Sequence, residues 1–220
     1  MTHLYLIPHW FFIYSIVFEA IFAIAAGLVA YFSFKVYSLC KQKESKWFGL
    51  GFMLISISYI VWLIINLFLI DNISDAVQAV NIEQIAFMYS AAIYSHMVLF
   101  ILGIIFITCT TLKSGNIKMC SLLSIVSLFA VALSCNKGLV FYILASVFLA
   151  YLAIYYAYHY FKKRKTRNLI SLIAFVLLFI SHIHFIFATT NYLYYVLGHI
   201  FELVGYILIL VQLLIIVKHK

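Results

Sequence analysis

The chain has 220 residues, of which 67% are hydrophobic and only 9% are charged, and its formal net charge is +8. Water-soluble domains carry about a quarter charged residues, so this composition excludes a soluble globular protein and predicts a multi-pass membrane protein. Glycine and proline are scarce, at eight and one residues. This scarcity favours long uninterrupted helices over a barrel or the broken helices of transporters.

A transmembrane helix needs about 20 predominantly apolar residues. Seven segments meet or approach this length, and they run roughly over residues 10–34, 47–70, 83–112, 118–135, 138–161, 168–190 and 192–217. The fourth is short, and the sequence "CNKG" that follows predicts a tight hairpin to the fifth. We therefore predict an all-α fold in which residues 1–220 form a single domain of seven transmembrane helices.

The basic residues alternate with the apolar segments in a way that predicts orientation. Thirteen of the fourteen follow the first, third, fifth or seventh segment, and only Lys137 lies on the opposite side. By the positive-inside rule, the N-terminus is outside and the C-terminus is cytoplasmic. These clusters lie where helices leave the bilayer, so the predicted partners are membrane lipids, together with other membrane subunits or a small ligand, and no nucleic acid.

The four cysteines are Cys40, Cys109, Cys120 and Cys135. They form no C-x-x-C pair, and three of them lie near the predicted cytoplasmic side. We therefore predict small apolar packing residues rather than a disulfide framework.

Six ionisable residues lie deep within the apolar segments, where each costs about 2.5–3.5 kcal/mol to insert. They are Glu19, His96, His182, His184, His199 and Glu202. A helical rise of about 1.5 Å per residue places all of them in the outer half of the membrane or near its midplane. This shared depth predicts a common site.

The faces of the helices refine this prediction. His199 and Glu202 are three residues apart and share a face with Tyr195 and Tyr206. His182 and His184 are two residues apart, so only one of them can point into a common site, and the sequence does not select between them.

Small residues beside two of these groups predict helix contacts. Ser15, Ala23 and Ala26 share a face with Glu19, and small side chains at such spacings let a neighbouring helix approach closely. Ala92 and Gly103 lie similarly beside His96. Both ionisable residues are therefore expected to face the interior of the bundle.

Several chemistries can use such residues. Two histidines on different helices can ligate heme b, which makes His96, His182, His184 and His199 candidate heme ligands. Glu19, His199 and Glu202 are candidate ligands of a transition metal. The leading prediction is a heme or metal site in the outer half of the bilayer, used for electron transfer or redox sensing.

Two alternatives remain open. The first is a non-catalytic sensor or scaffold in which the buried histidines and glutamates are structural or proton-responsive. The second is a zinc-dependent lipid amidohydrolase, since zinc with three protein ligands can activate water. Ceramidase-like hydrolases have seven helices, but their last-helix H-x-x-x-H is missing here.

Two stretches carry a family resemblance. "KVYSLCKQKESKWFGLGFMLISISYIVWLI" and "VLGHIFELVGYILILV" resemble uncharacterised, often archaeal, seven-helix membrane proteins. Those proteins are in turn similar to membrane-associated sensor domains that precede histidine kinases and cyclases. The resemblance implies a sensing or ligand-binding bundle and assigns no functional residue.

Overall fold

The computed structural model describes residues 9–74, 82–112, 117–188 and 190–218, and these form seven α-helices. The helices are α1 (His9–Cys40), α2 (Lys43–Ser74), α3 (Ile82–Thr111), α4 (Ile117–Leu133), α5 (Lys137–Lys163), α6 (Thr166–Phe187) and α7 (Tyr192–Lys218). The predicted all-α fold of seven helices is confirmed. Six of the helices are long and apolar enough to cross a membrane, so the protein is a multi-pass membrane protein.

Helix α4 differs from the other six because it has only 17 residues. At about 1.5 Å per residue it is about 26 Å long, slightly less than the roughly 30 Å hydrocarbon core. The turn after it is as tight as predicted. Asn136 caps the N-terminus of α5, its side-chain oxygen accepting a hydrogen bond of 3.1 Å from the backbone N–H of Leu139.

The helices pack as two groups of three that close into one bundle. Helix α2 packs between α1 and α3, and α6 packs between α5 and α7. Contacts of α1 with α7 and of α3 with α5 join the groups. Within the described residues, α4 packs only against α3 and α5, so it lies at the periphery.

The outside of the bundle is apolar, as a lipid-facing surface requires. Exposed side chains include Leu133 at 80%, Phe87 at 74% and Ile154 at 70% of their accessible area. The interior contains a continuous apolar core drawn from all seven helices. Lipid contact follows from this arrangement, whereas the direction of insertion remains a prediction from the basic residues.

Glycines set the closest helix crossings. A Cβ atom on Gly51 of α2 would lie 2.6 Å from the carbonyl oxygen of Gly103 in α3, a distance that real Cβ atoms do not adopt. Between α6 and α7, a Cβ on Gly205 would lie 2.8 Å from the side chain of Leu178. These crossings fix the register of α2 on α3 and of α6 on α7.

One prediction about the cysteines is wrong. Cys109, near the end of α3, is disulfide-bonded to Cys120, near the start of α4. The two residues are 11 positions apart in sequence, and the short connection brings their Cα atoms to 6.1 Å. Counting cysteines by membrane side could not show this pairing, because it depends on how the two helices meet. Cys40 and Cys135 are not part of a disulfide.

Candidate functional site

One face of α2 contacts both buried carboxylates. Tyr59, Trp62 and Asn66 lie at positions i, i+3 and i+7, so their side chains share a helical stripe. Trp62 and Asn66 hydrogen-bond to Glu19 of α1, and Tyr59 hydrogen-bonds to Glu202 of α7. This stripe, which we call the α2 polar face, joins α1 and α7 through their only buried acidic side chains among the described residues.

Both oxygens of Glu19 accept hydrogen bonds. The indole Nε1–H of Trp62 donates to Oε1 at 2.8 Å, and the amide Nδ2 of Asn66 donates to Oε2 at 2.8 Å. Glu19 is buried, as are Ser15, Ala23 and Ala26 on the same helical face. The prediction that Glu19 faces the bundle interior is therefore confirmed.

Glu202 of α7 is hydrogen-bonded by a third residue of α2, which lies about one turn before Trp62. The hydroxyl of Tyr59 donates a hydrogen bond to its Oε1. Tyr206, also on α7, is fully buried, and its ring centroid lies 6.2 Å from that of Tyr59. A carboxyl group at this depth needs such a donor, because an unsatisfied polar group in hydrocarbon costs several kcal/mol.

The histidines are packed among aromatic rings. Seven rings form a closed circuit in which each centroid lies 5.1–5.9 Å from the next, in the order His199, Phe22, Tyr59, His96, Phe100, His182 and Phe185, back to His199. We call this set the aromatic circuit. It draws on α1, α2, α3, α6 and α7, and so ties together the helices that carry the predicted site residues.

Three histidines hydrogen-bond to backbone carbonyl groups through Nδ1. The acceptors are Ser58 for His96 at 3.1 Å, Leu178 for His182 at 3.0 Å, and Ile180 for His184 at 2.8 Å. A carbonyl oxygen only accepts, so Nδ1 carries the hydrogen in each ring. In a neutral imidazole this leaves Nε2 as the acceptor or ligand atom.

The structure separates the two histidines of α6 that the sequence left equivalent. His182 is buried and belongs to the aromatic circuit. His184 is only partly buried and contacts Tyr194 and Phe201 of α7 outside that circuit. Of the pair, His182 therefore faces the interior shared by the other site residues.

The predicted metal ligands do not form a ligand set. Among the described residues there is no group of three or more histidine, cysteine, aspartate or glutamate side chains that could hold a metal ion. Glu19 and Glu202 each accept hydrogen bonds from the α2 polar face instead. His199 packs against Phe22, Phe185 and Tyr195, with the Tyr195 ring at 4.5 Å.

The side chains around the predicted heme ligands also do not fit the predicted cofactor. The ring of Phe100 packs against both His96 and His182, 5.7 and 5.3 Å from their centroids and within 36° and 27° of their planes. A cavity beside His182 and Tyr206 has about 10 Å³ available to the centre of a water molecule. That is room for about one water. As arranged, these side chains do not fit a heme, and heme binding stays a prediction.

Sequence reasoning missed Tyr59 and Trp62 as partners of the carboxylates. In the structure Tyr59 donates to Glu202, and Trp62 donates to Glu19 together with Asn66. The available signal was the i, i+3, i+7 spacing of three hydrogen-bond donors on one apolar helix. Such donors need buried acceptors, and the two glutamates are the natural candidates.

Comparison with known proteins gives no match to a family model, to a curated protein or to a solved structure.

Proposed function

We propose that this protein is a non-catalytic membrane sensor or scaffold in which buried histidines and glutamates hold the helices together. The observation that carries the proposal is the α2 polar face. Its three donors bind one carboxyl group from α1 and another from α7. Helices distant in sequence are thereby joined through polar contacts that hydrocarbon cannot replace.

The energetics support a structural role for the carboxyl groups. Insertion of an isolated glutamate into the membrane is costly, so each must recover free energy from its partners. Glu19 accepts hydrogen bonds at both oxygens, and Glu202 accepts one from Tyr59. Interhelical hydrogen bonds in membranes contribute about 0.6 kcal/mol on average and up to about 1.7.

A sensing role would use the same contacts. The bond between Tyr59 and Glu202 links α2 to α7, and its strength depends on whether the carboxyl group is charged. A bound proton or small ligand that changes this contact would shift how α7 packs on α2. A two-state element of this kind is what a membrane sensor requires.

Heme or metal binding is the second candidate, and one observation favours it. His96, His182 and His184 each hold Nδ1–H against a backbone carbonyl group, which is the arrangement that orients a ligating histidine through its other nitrogen. His96 and His182 would hold a heme only if Phe100, which packs against both rings, moved away from them. The zinc amidohydrolase alternative lacks a comparable observation.

Elemental analysis and a visible spectrum of protein purified gently from its native membrane separate the two candidates. The sensor or scaffold proposal predicts no stoichiometric iron, zinc or manganese and no Soret band. Close to one iron per chain with a Soret band would establish the heme candidate and contradict the proposal.

Substitution at two positions extends this test. His199→Ala is expected to lower thermal stability, because His199 fills space among Phe22, Phe185 and Tyr195. Glu202→Gln keeps a side-chain oxygen that can accept from Tyr59, so it should retain the stability of the parent protein. Loss of a bound metal in both variants, with stability unchanged, would favour the metal-binding candidate.

A further inference from the structure

The disulfide between Cys109 and Cys120 joins α3 to the peripheral helix α4. Cys109 lies two residues before the end of α3, and Cys120 lies in the first turn of α4. Helix α4 is peripheral and packs only against α3 and α5 within the described residues. The bond therefore ties the beginning of α4 to the bundle.

The location of this bond conflicts with a permanent disulfide. Lys113 and Lys118 lie between the two cysteines in sequence, so the positive-inside rule assigns this end of α3 and α4 to the cytoplasm. Thiol reductants keep cytoplasmic cysteines reduced, and the disulfides that do form there are usually transient, catalytic or redox-sensing. Both cysteines are partly exposed rather than fully buried, which leaves them accessible to such reductants.

We propose that Cys109 and Cys120 form a reversible, redox-responsive disulfide at the cytoplasmic end of the bundle, and that its reduction releases α4 from α3. The reductant is a cytoplasmic dithiol. This function is separate from the buried site, since no residue of the α2 polar face or the aromatic circuit takes part.

The exchange reaction balances with that dithiol alone. One thiolate of the reductant attacks a sulfur atom of the pair, a mixed disulfide forms, and the other cysteine leaves as a thiolate and takes up a proton. The second thiol of the reductant then attacks the mixed disulfide and releases the remaining cysteine. The protein gains two electrons and two protons, and the dithiol becomes a disulfide.

The packing of α4 explains why reduction of the disulfide would affect the beginning of this helix. Its apolar side chains Leu122, Val126, Phe129 and Leu133 are all more than half exposed. Ser127 and Val131 are its buried residues. With the tether removed, few contacts hold the beginning of the helix, so its amides should open more often.

Counting free thiols in native membranes tests the first part of the proposal. Acid quenching followed by alkylation of the denatured protein with a polyethylene glycol maleimide shows how many of the four cysteines are free. We expect two modified cysteines, Cys40 and Cys135, after treatment of cells with diamide. After recovery in medium without oxidant we expect four.

Matched variants identify the pair. Cys109→Ser and Cys120→Ser should each give three modified cysteines regardless of diamide, whereas Cys40→Ser and Cys135→Ser should still change by two. Four free thiols in the diamide-treated parent protein would overturn the proposal. So would a pair that stays oxidised in untreated cells, because a bond out of reach of cytoplasmic reductants is not a switch.

Hydrogen exchange of the full chain in nanodiscs tests the structural consequence. Reduction of the parent protein is expected to speed exchange in the first two turns of α4 by about tenfold, with little change in α6. The Cys120→Ser variant should exchange at the faster rate with or without reductant. Equal exchange rates in α4 before and after reduction would overturn release of the helix.

Discussion

Tyr59 of α2 donates a hydrogen bond to Glu202 of α7 across a sequence separation of 143 residues. Both residues are buried, and the hydrogen bond adds to the packing of the Tyr59 ring against Tyr206 of α7. A single phenol hydroxyl thus satisfies a carboxyl group at membrane depth. The hydrogen bond supplements the α1–α7 and α3–α5 contacts that join the two groups of helices.

Removal of that hydroxyl should destabilise the protein. Tyr59→Phe keeps the ring in the aromatic circuit but leaves Glu202 without its donor, so we expect the free energy of unfolding to fall by about 1–3 kcal/mol. Tyr158→Phe, at an exposed tyrosine on α5, is the control and should change little. Thermal unfolding in nanodiscs measures both, and equal stability of the two variants would argue against a structural contact.

Loss of a hydrogen-bond donor to Glu19 should also lower the stability of the protein. Asn66→Leu removes the amide that bonds to Oε2 of Glu19 while keeping a side chain of similar size. We expect a loss of about 1–3 kcal/mol, because the buried carboxyl group loses one of its two partners. Ile64→Leu, at a lipid-exposed position of α2, provides the comparison. An Asn66→Leu variant as stable as the Ile64→Leu variant would contradict this assignment.

The glycine crossing of α2 on α3 gives a prediction about packing. Gly103→Val places two methyl groups where a Cβ alone would lie 2.7 Å from the carbonyl oxygen of Gly51. The helices must separate, so we expect a loss of at least about 1–3 kcal/mol and a lower yield of folded protein. Ala91→Val, at an exposed position on the same helix, should be tolerated. Size-exclusion profiles after detergent extraction distinguish these outcomes.

The two histidines of α6 should differ in their sensitivity to substitution. His182→Ala removes a buried ring from between Phe100 and Phe185, whereas His184→Ala removes a partly buried ring outside the aromatic circuit. We expect the first variant to unfold at a clearly lower temperature than the second. The free energies of unfolding of the two variants should differ by about 1–3 kcal/mol. The reverse order would mean that His184 is the interior residue.

The sequence predicted the helices well because a long apolar run has few alternatives in a bilayer. The clearest differences are at the connection between the first two helices, where α1 continues to Cys40 and α2 begins at Lys43. Those turns contain charged residues, so hydropathy ends the segment before the helix does. Backbone hydrogen bonds continue the helix beyond the apolar segment into the interfacial region.

The site was less predictable because it depends on how helices rotate against each other. Hydropathy identified Glu19, His96, His199 and Glu202, and small neighbours indicated which way Glu19 faces. It could not identify Tyr59 as a donor, because a tyrosine suits the membrane interface as well as a buried position with a hydrogen-bond partner. The choice between His182 and His184, and the pairing of Cys109 with Cys120, also required the positions of adjacent helices.

A double-mutant cycle on Tyr59→Phe and Glu202→Leu, measured by unfolding in lipid nanodiscs, tests the central claim most directly. If the hydroxyl and the carboxyl group stabilise the bundle through each other, the two losses will not add, and the coupling free energy should be about 1 kcal/mol. Additive losses, with a coupling free energy indistinguishable from zero, would contradict the account and leave Glu202 without a structural role through Tyr59.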